Sequence, residues 1–284
     1  MLLREPVEPE SVAAAGWRAE LALGYERRGG RTVLAHRRHD GPLVVQKPLY
    51  PEGDAVCHTI IVHPPAGIAG GDRLAIDVGV AGGGHVLLTT PGAGKWYRSA
   101  GARAQQHLTV TAGPQAIVEW LPQETIVFDG ALADLRTTVE LQSGACFIGW
   151  EILCLGRTGS GERFMHGDCT TFTELRRDGR PLWYERGRMT GGGAVLASAA
   201  GLAGQPVCAT LLAVGPINDA VLGACRAQLP ASGEGAITRL PELLVARYLG
   251  PSSEAARYYF AALWTILRPA ITGRNAITPR IWNT

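Results

Sequence analysis

The stretch Trp17-Arg18-Ala19-Glu20-Leu21-Ala22-Leu23-Gly24-Tyr25 changes character at every step: Trp17, Ala19, Leu21, Leu23 and Tyr25 alternate with Arg18, Glu20, Ala22 and Gly24. A period of two marks an extended strand with one face buried, because successive side chains leave the backbone on opposite sides. The same alternation returns at Leu74, Ile76, Val78 and Val80, at Ala104, Gln106, Leu108 and Val110, and at Leu135, Thr137, Val139 and Leu141. Further strands are expected at 31–36, 43–46, 57–63, 86–89, 116–120, 125–128, 147–155, 170–176 and 182–188. Between them stand turn formers such as Arg28-Gly29-Gly30, Gly82-Gly83-Gly84, Ala112-Gly113-Pro114 and Arg177-Asp178-Gly179-Arg180. About a dozen short strands with almost no helical pattern predict a mainly β body, whether sandwich, barrel or β-helix, and periodicity does not choose among them.

Composition changes near Pro216. Val221, Leu222, Cys225 and Leu229 fall at helical spacing, with Asn218 placed to cap the first turn, so a helix is expected over Asn218 to Leu229. A second begins with Ser253 as cap and Glu254 in its first turn. It carries Ala256, Tyr259, Phe260, Leu263 and Leu267 as an apolar stripe and is expected to stop before Pro269. This aromatic face reads as core packing. No internal repeat, low-complexity segment or long linker divides the chain. The expectation is one unit over 1–284: a β-helix-like or sandwich-like body at 17–215 and a cap with two carboxyl-terminal α-helices at 216–284.

A chain of 284 residues buries roughly 70 to 75% of its unfolded surface, enough for a large core without staples. The formal net charge of +2 is too small to indicate nucleic acid or an anionic membrane. Met1 to Glu10 contains Arg4, Glu5, Glu8 and Glu10 and no apolar core of a signal peptide, which points to the cytoplasm. The weakly polar run Gly191 to Gly204 falls short of the ~18 to 20 strongly apolar residues of a membrane span. Six cysteines, at 57, 146, 154, 169, 208 and 225, form no Cys-x-x-Cys pair and read as reduced, mostly buried small hydrophobes.

Several motifs fail on inspection. Thr89-Thr90-Pro91-Gly92-Ala93-Gly94-Lys95-Trp96 imitates a phosphate loop. It has Thr89 where the first glycine belongs and Trp96 where Ser or Thr would meet magnesium, so no nucleotide site is expected. Gly82-Gly83-Gly84 opens no helix and reads as a hairpin turn. Gly-x-Ser-x-Gly is absent, Thr158-Gly159-Ser160-Gly161-Glu162 coming nearest. Glu119, Glu124, Asp129 and Glu151 could supply the paired carboxylates of a carbohydrate-active β-helix enzyme.

Glu151 is the most informative residue. It interrupts Phe147-Ile148-Gly149-Trp150-Glu151-Ile152-Leu153-Cys154-Leu155, a strand apolar on both faces, and a buried carboxylate must find an arginine, a hydrogen-bond cluster, water or a cation. Arg157 and Arg188 are the expected structural partners. Cys57, His58 and His63 are further metal-ligand candidates. Alternation puts Cys57 and His63 on one face but ~20 Å apart, too far to share an ion.

Three stretches resemble the urease accessory protein family UreD, also called UreH: His63-Pro64-Pro65-Ala66-Gly67-Ile68-Ala69-Gly70-Gly71-Asp72, Thr89 to Ser99 (TTPGAGKWYRS) and Glu119 to Gly130 (EWLPQETIVFDG). Gly41 to Gly53, Gly149 to Arg157 (GWEILCLGR) and the ending Pro279-Arg280-Ile281-Trp282-Asn283-Thr284 follow in the family's order, so the likeness runs from about Trp17 to Thr284. Ala66 and Ala69 are small departures.

The resemblance implies a β-helix-like body with carboxyl-terminal helices and no catalytic activity. It implies a scaffold that joins UreF and UreG, the GTPase, on the structural subunits of apo-urease and helps deliver nickel. It also implies an internal water-filled passage for Ni²⁺ in transit, no stably bound cofactor, and Asp72, Glu151 and Glu185 in the lining. Weak oxygen ligands suit such passage better than clustered His and Cys, which would trap the ion. The rivals are the carbohydrate-active enzyme and a plain adaptor in which the three acids are structural ion pairs.

Overall fold

The alternation beginning at Trp17 forms β1 (Arg18–Arg28), in which Ala19, Leu21, Leu23 and Tyr25 are all buried. The computed structural model describes residues 16–65 and 67–283. Met1 to Glu10, the stretch expected to lack an export signal, lies outside the described residues, as do Ala66 and Thr284. With β1 in the first sheet are β2 (Arg31–Asp40), β5 (Arg73–Val80), β8 (Ala104–Ala112), β11 (Leu132–Leu141), β13 (Asp168–Arg177) and β14 (Arg180–Thr190), in the order β14-β13-β11-β8-β5-β1-β2. The second holds β3 (Val44–Val45), β4 (Cys57–Val62), β6 (His85–Thr89), β9 (Ile117–Trp120), β12 (Cys146–Leu155), β15 (Val207–Val214), β16 (Glu234–Arg239) and β17 (Leu243–Gly250). Its order is β16-β17-β15-β12-β9-β6-β4-β3, with β7 (Gly94–Trp96) and β10 (Thr125–Val127) attached beside β12.

In the first sheet β1, β5, β8, β11 and β13 run parallel, and in the second β4, β6, β9 and β12 do. The chain therefore winds from one sheet to the other and back in about four coils. Corner stacks on corner: Ala81 N–H donates to Tyr25 O at 2.8 Å, Gly113 to Val80 at 2.7 Å, Gln142 to Ala112 at 2.9 Å and Asp178 to Leu141 at 2.9 Å. Gly82-Gly83-Gly84 is one of these corners and not a hairpin turn, since β5 and β6, which it joins, lie in different sheets. Gly83 takes φ of 68°, and a Cβ on Gly113 would stand 2.9 Å from Gly82 N, so glycine is what lets the corners nest. The repeat lives in backbone hydrogen bonds with varied side chains, which is why no sequence repeat announces it.

Two apolar layers result, one between the sheets and one between the second sheet and the helices. α1 (Ala194–Ala197) is a single turn. α2 (Asp219–Arg226) starts as expected, with Asn218 Oδ1 accepting from Val221 N–H at 2.9 Å. It ends sooner than its spacing suggests and leaves Leu229 80% exposed. α3 (Ser253–Thr272) is capped by Ser252 instead of Ser253, the Ser252 hydroxyl accepting from Ala255 N–H at 3.2 Å. It also continues through Pro269 to Gly273, because a proline in the last turn removes one hydrogen bond from a helix already held by packing. The stripe of Ala256, Tyr259, Phe260, Leu263 and Leu267 is buried as predicted.

Residues 216–284 are not purely helical, since β16 and β17 lie between α2 and α3. β15 and β17 are apolar on both faces, one meeting the first sheet and the other α3, so they show no period of two. All six cysteines are free and none is fully exposed. Among the described residues no helix is long and apolar enough to cross a membrane.

Candidate functional site: a cavity between the sheets

Alternation along β12 sends Phe147, Leu153 and Leu155 into the layer between the sheets, and Ile148, Trp150 and Ile152 under α3. Glu151 shares the inward parity. Across the second sheet Glu151 pairs in register with Thr210, and Thr210 with Arg247. Across the first, Thr137 pairs with Thr173, and Thr173 with Glu185. Two polar rows thus face one another where an apolar core would be expected, and a cavity of about 450 Å³ opens between the sheets. Its lining is mostly apolar, with His63, Gln106, Thr137, Glu151, Thr173 and Thr210 among its polar members, and Gly92 to Lys95 border it too. The segment that imitates a phosphate loop runs from the end of β6 at Thr89 into strand β7, which pairs with β10.

Glu151 is half-buried, its accessible surface facing this cavity. Burial, reinforced by the negative charge of Glu185, pushes its carboxyl up to about 7. The expected arginine partners are engaged elsewhere: Arg157 Nη2 lies 2.9 Å from Glu162 Oε1, and Arg188 Nε 2.8 Å from Asp168 Oδ1. Arg247 serves Glu185, Nη1 to Oε1 at 2.6 Å, and Thr210 Oγ1 at 2.8 Å. Among the described residues no hydrogen bond or ion pair reaches the Glu151 carboxylate.

Asp72 is built differently. It is buried, and its two oxygens accept the backbone N–H groups of Trp17 and Ala69, each at 2.8 Å, fastening the turn that leads into β5. It does not line the cavity, though its charge opposes the burial that lowers the His63 imidazole. The three acids are thus divided, with Glu151 and Glu185 coupled at one place and Asp72 beside His63. Of the other ligand candidates, Cys57 faces the inner core, its thiol pushed up by burial. His58 leaves the strand on the opposite face, with Nε2 2.5 Å from Glu52 Oε1. Among the described residues no three His, Cys, Asp or Glu side chains converge as a metal site.

Two residues of this interior had no sequence signal. Cys169 and Cys208 read as small hydrophobes, yet burial and then the charge of Glu151 push both thiols up, Cys208 to about 12. Glu119, one of the paired-carboxylate candidates, lies on the outer face of the second sheet, where Trp264 and Arg268 of α3 bind it. The sheet itself separates it from Glu151. Asp129 is occupied by the backbone N–H groups of Met165 and His166 at 2.8 and 2.7 Å.

The chain is similar to known proteins along nearly its whole length. The family model described as UreD urease accessory protein matches residues 17–283. Proteins named urease accessory protein UreD are similar along the chain. The one from Azoarcus sp. (strain BH72) is 60% identical over 96% of both chains, and that from Dechloromonas aromatica 56% identical over 100% of both. The one from Pseudomonas aeruginosa is 51% identical over 94% of this chain and 95% of its own.

Proposed function

The chain belongs to the UreD family of urease accessory proteins and so has a role in urease maturation. Within that role we propose that it is a non-catalytic cytoplasmic scaffold, joining UreF and UreG on the urease structural subunits and letting Ni²⁺ pass through the cavity between its sheets. The observation that carries the reading is Glu151, a carboxylate with no hydrogen-bond or ion-pair partner among the described residues, on the wall of a mostly apolar cavity between the sheets. A carboxyl group that titrates near neutrality carries its proton part of the time while the path is empty and yields it to an arriving cation. The Thr173 and Thr210 hydroxyls on the same cavity would offer Ni²⁺ weak oxygen ligands, which release as readily as they bind. Cys169 and Cys208 stay protonated at neutral pH and so do not capture the ion, because the thiolate is the metal ligand. His63 borders the same cavity, and Asp72 contributes by fixing the turn beside it.

The test is co-expression with urease, UreF and UreG, comparing wild type with Glu151→Gln and Glu185→Gln. Asp72→Ala is avoided because it would release two backbone amides. Intact complexes with nickel-poor urease are expected for Glu151→Gln. Normal nickel content in both variants would reduce the protein to an adaptor.

A further inference from the structure

The two polar rows continue one strand beyond the cavity. It is lined by Glu151, Thr210 and Thr173, while the next members of the rows, Arg247 on β17 and Glu185 on β14, stand outside its lining. These two meet each other. Arg247 Nη1 donates to Glu185 Oε1 at 2.6 Å and to Thr210 Oγ1 at 2.8 Å, and its guanidinium lies 5.5 Å from the Trp183 ring centroid. The side chains are 43% and 30% exposed, so the pair has solvent on its far side. It is a crossbar between the sheets, with the cavity behind it.

We propose that Arg247 is a built-in counter-cation that bolts this end of the cavity: it occupies the Glu185 carboxylate that an arriving divalent metal ion would otherwise claim, and must swing aside for the ion to pass. The proposal rests on the conduit reading above. Glu151 and Glu185 are close enough to raise each other's energy when both are charged. Arg247 relieves one of them and repels a cation lodged at the other. Without it, two carboxylates and the Thr173 and Thr210 hydroxyls would surround one space and hold the ion. With it, the interior keeps a low affinity. Partly exposed ion pairs are weak, so a divalent ion can displace the guanidinium, which keeps the Trp183 face as a resting place.

The experiment measures Ni²⁺ binding to the purified full-length chain by equilibrium dialysis, alongside urease nickel content in the co-expressed system. Arg247→Gln is expected to tighten Ni²⁺ binding on the order of tenfold, the effect of removing one nearby like charge. Arg247→Lys should stay near wild type, and the double variant Arg247→Gln with Glu185→Gln should lose the gain. Unchanged affinity in Arg247→Gln overturns the bolt. If that variant loses the wild-type circular dichroism spectrum, Glu185→Gln decides: weaker binding is expected with Arg247 left unpaired, and unchanged binding overturns the proposal. Glu151→Gln separates the two readings. Nickel-poor urease with an inert Arg247→Gln sinks the bolt alone, whereas nickel-replete urease sinks the conduit.

Discussion

Arg268 on α3 and Glu119 on β9 face each other beneath the helix, Arg268 Nε lying 3.0 Å from both carboxylate oxygens, with neither side chain exposed. Glu119 also accepts from Trp264 Nε1 at 2.6 Å and meets His85 Nε2 at 2.7 Å. Arg268 continues to Glu52 at 2.8 Å and to the Asn275 carbonyl, and Glu52 reaches His58. Hydrophobic packing alone would let α3 slide along the sheet. This buried chain of charges accepts one seat.

Removing one member leaves the others charged in a dry layer. Arg268→Ala or Glu119→Ala is expected to lose about 3 to 5 kcal/mol, while the apolar pair Arg268→Met with Glu119→Leu loses much less. Urea unfolding of the three variants checks this, and equal losses in all of them would refute the ionic account.

Acid should loosen the same layer. Burial alone would raise Glu52, but His58 and Arg268 outweigh it and hold the group at about 2, below its ordinary 4.5. Glu119 is likewise lowered, by His85 and Arg268 against its burial. Carboxyls depressed in the folded state contribute stability that is present above pH 4.5 and lost as the pH falls toward 2. Fluorescence of Trp264, which donates to Glu119, should change in that window, and Glu52→Gln should flatten the slope.

Glu151 carries the opposite sign. Its group titrates near 7 in the fold against 4.5 in the free chain, so the folded state binds the extra proton and stability falls as pH rises between these values. Above pH 7 the penalty levels at about 3 kcal/mol. Glu151→Gln should therefore raise the melting temperature at pH 8 and scarcely change it at pH 5. A gain equal at both pH values would mean that the carboxyl is not perturbed.

The threonine row can be made apolar without changing its shape. Thr137→Val with Thr173→Val should leave thermal stability equal or higher, since both face the cavity, and should lower urease nickel content if ions pass there. Normal nickel loading would remove these hydroxyls from the path.

Much of this was legible in the residue order. Alternation located most strands of the first sheet, because that sheet has one wet and one dry face. The run around Glu151 announced a carboxylate where none should be comfortable, and Asn218 announced its helix. The missed pieces share a cause. β15 and β17 are dry on both sides, and the corners repeat through backbone hydrogen bonds that any side chain tolerates. Arg247 and Cys208 look like ordinary residues until two strands bring them toward Glu151 and Glu185. By itself the sequence determined that the chain is mainly β, that its second half ends in an aromatic helix and that Glu151 needs an explanation. That the coils stack as a β-helix, that Asp72 holds a turn, and that Arg247 takes Glu185 while leaving Glu151 alone were decided only by tertiary structure. Partner choice among charges depends on distances between residues remote in the chain, and no local pattern encodes those.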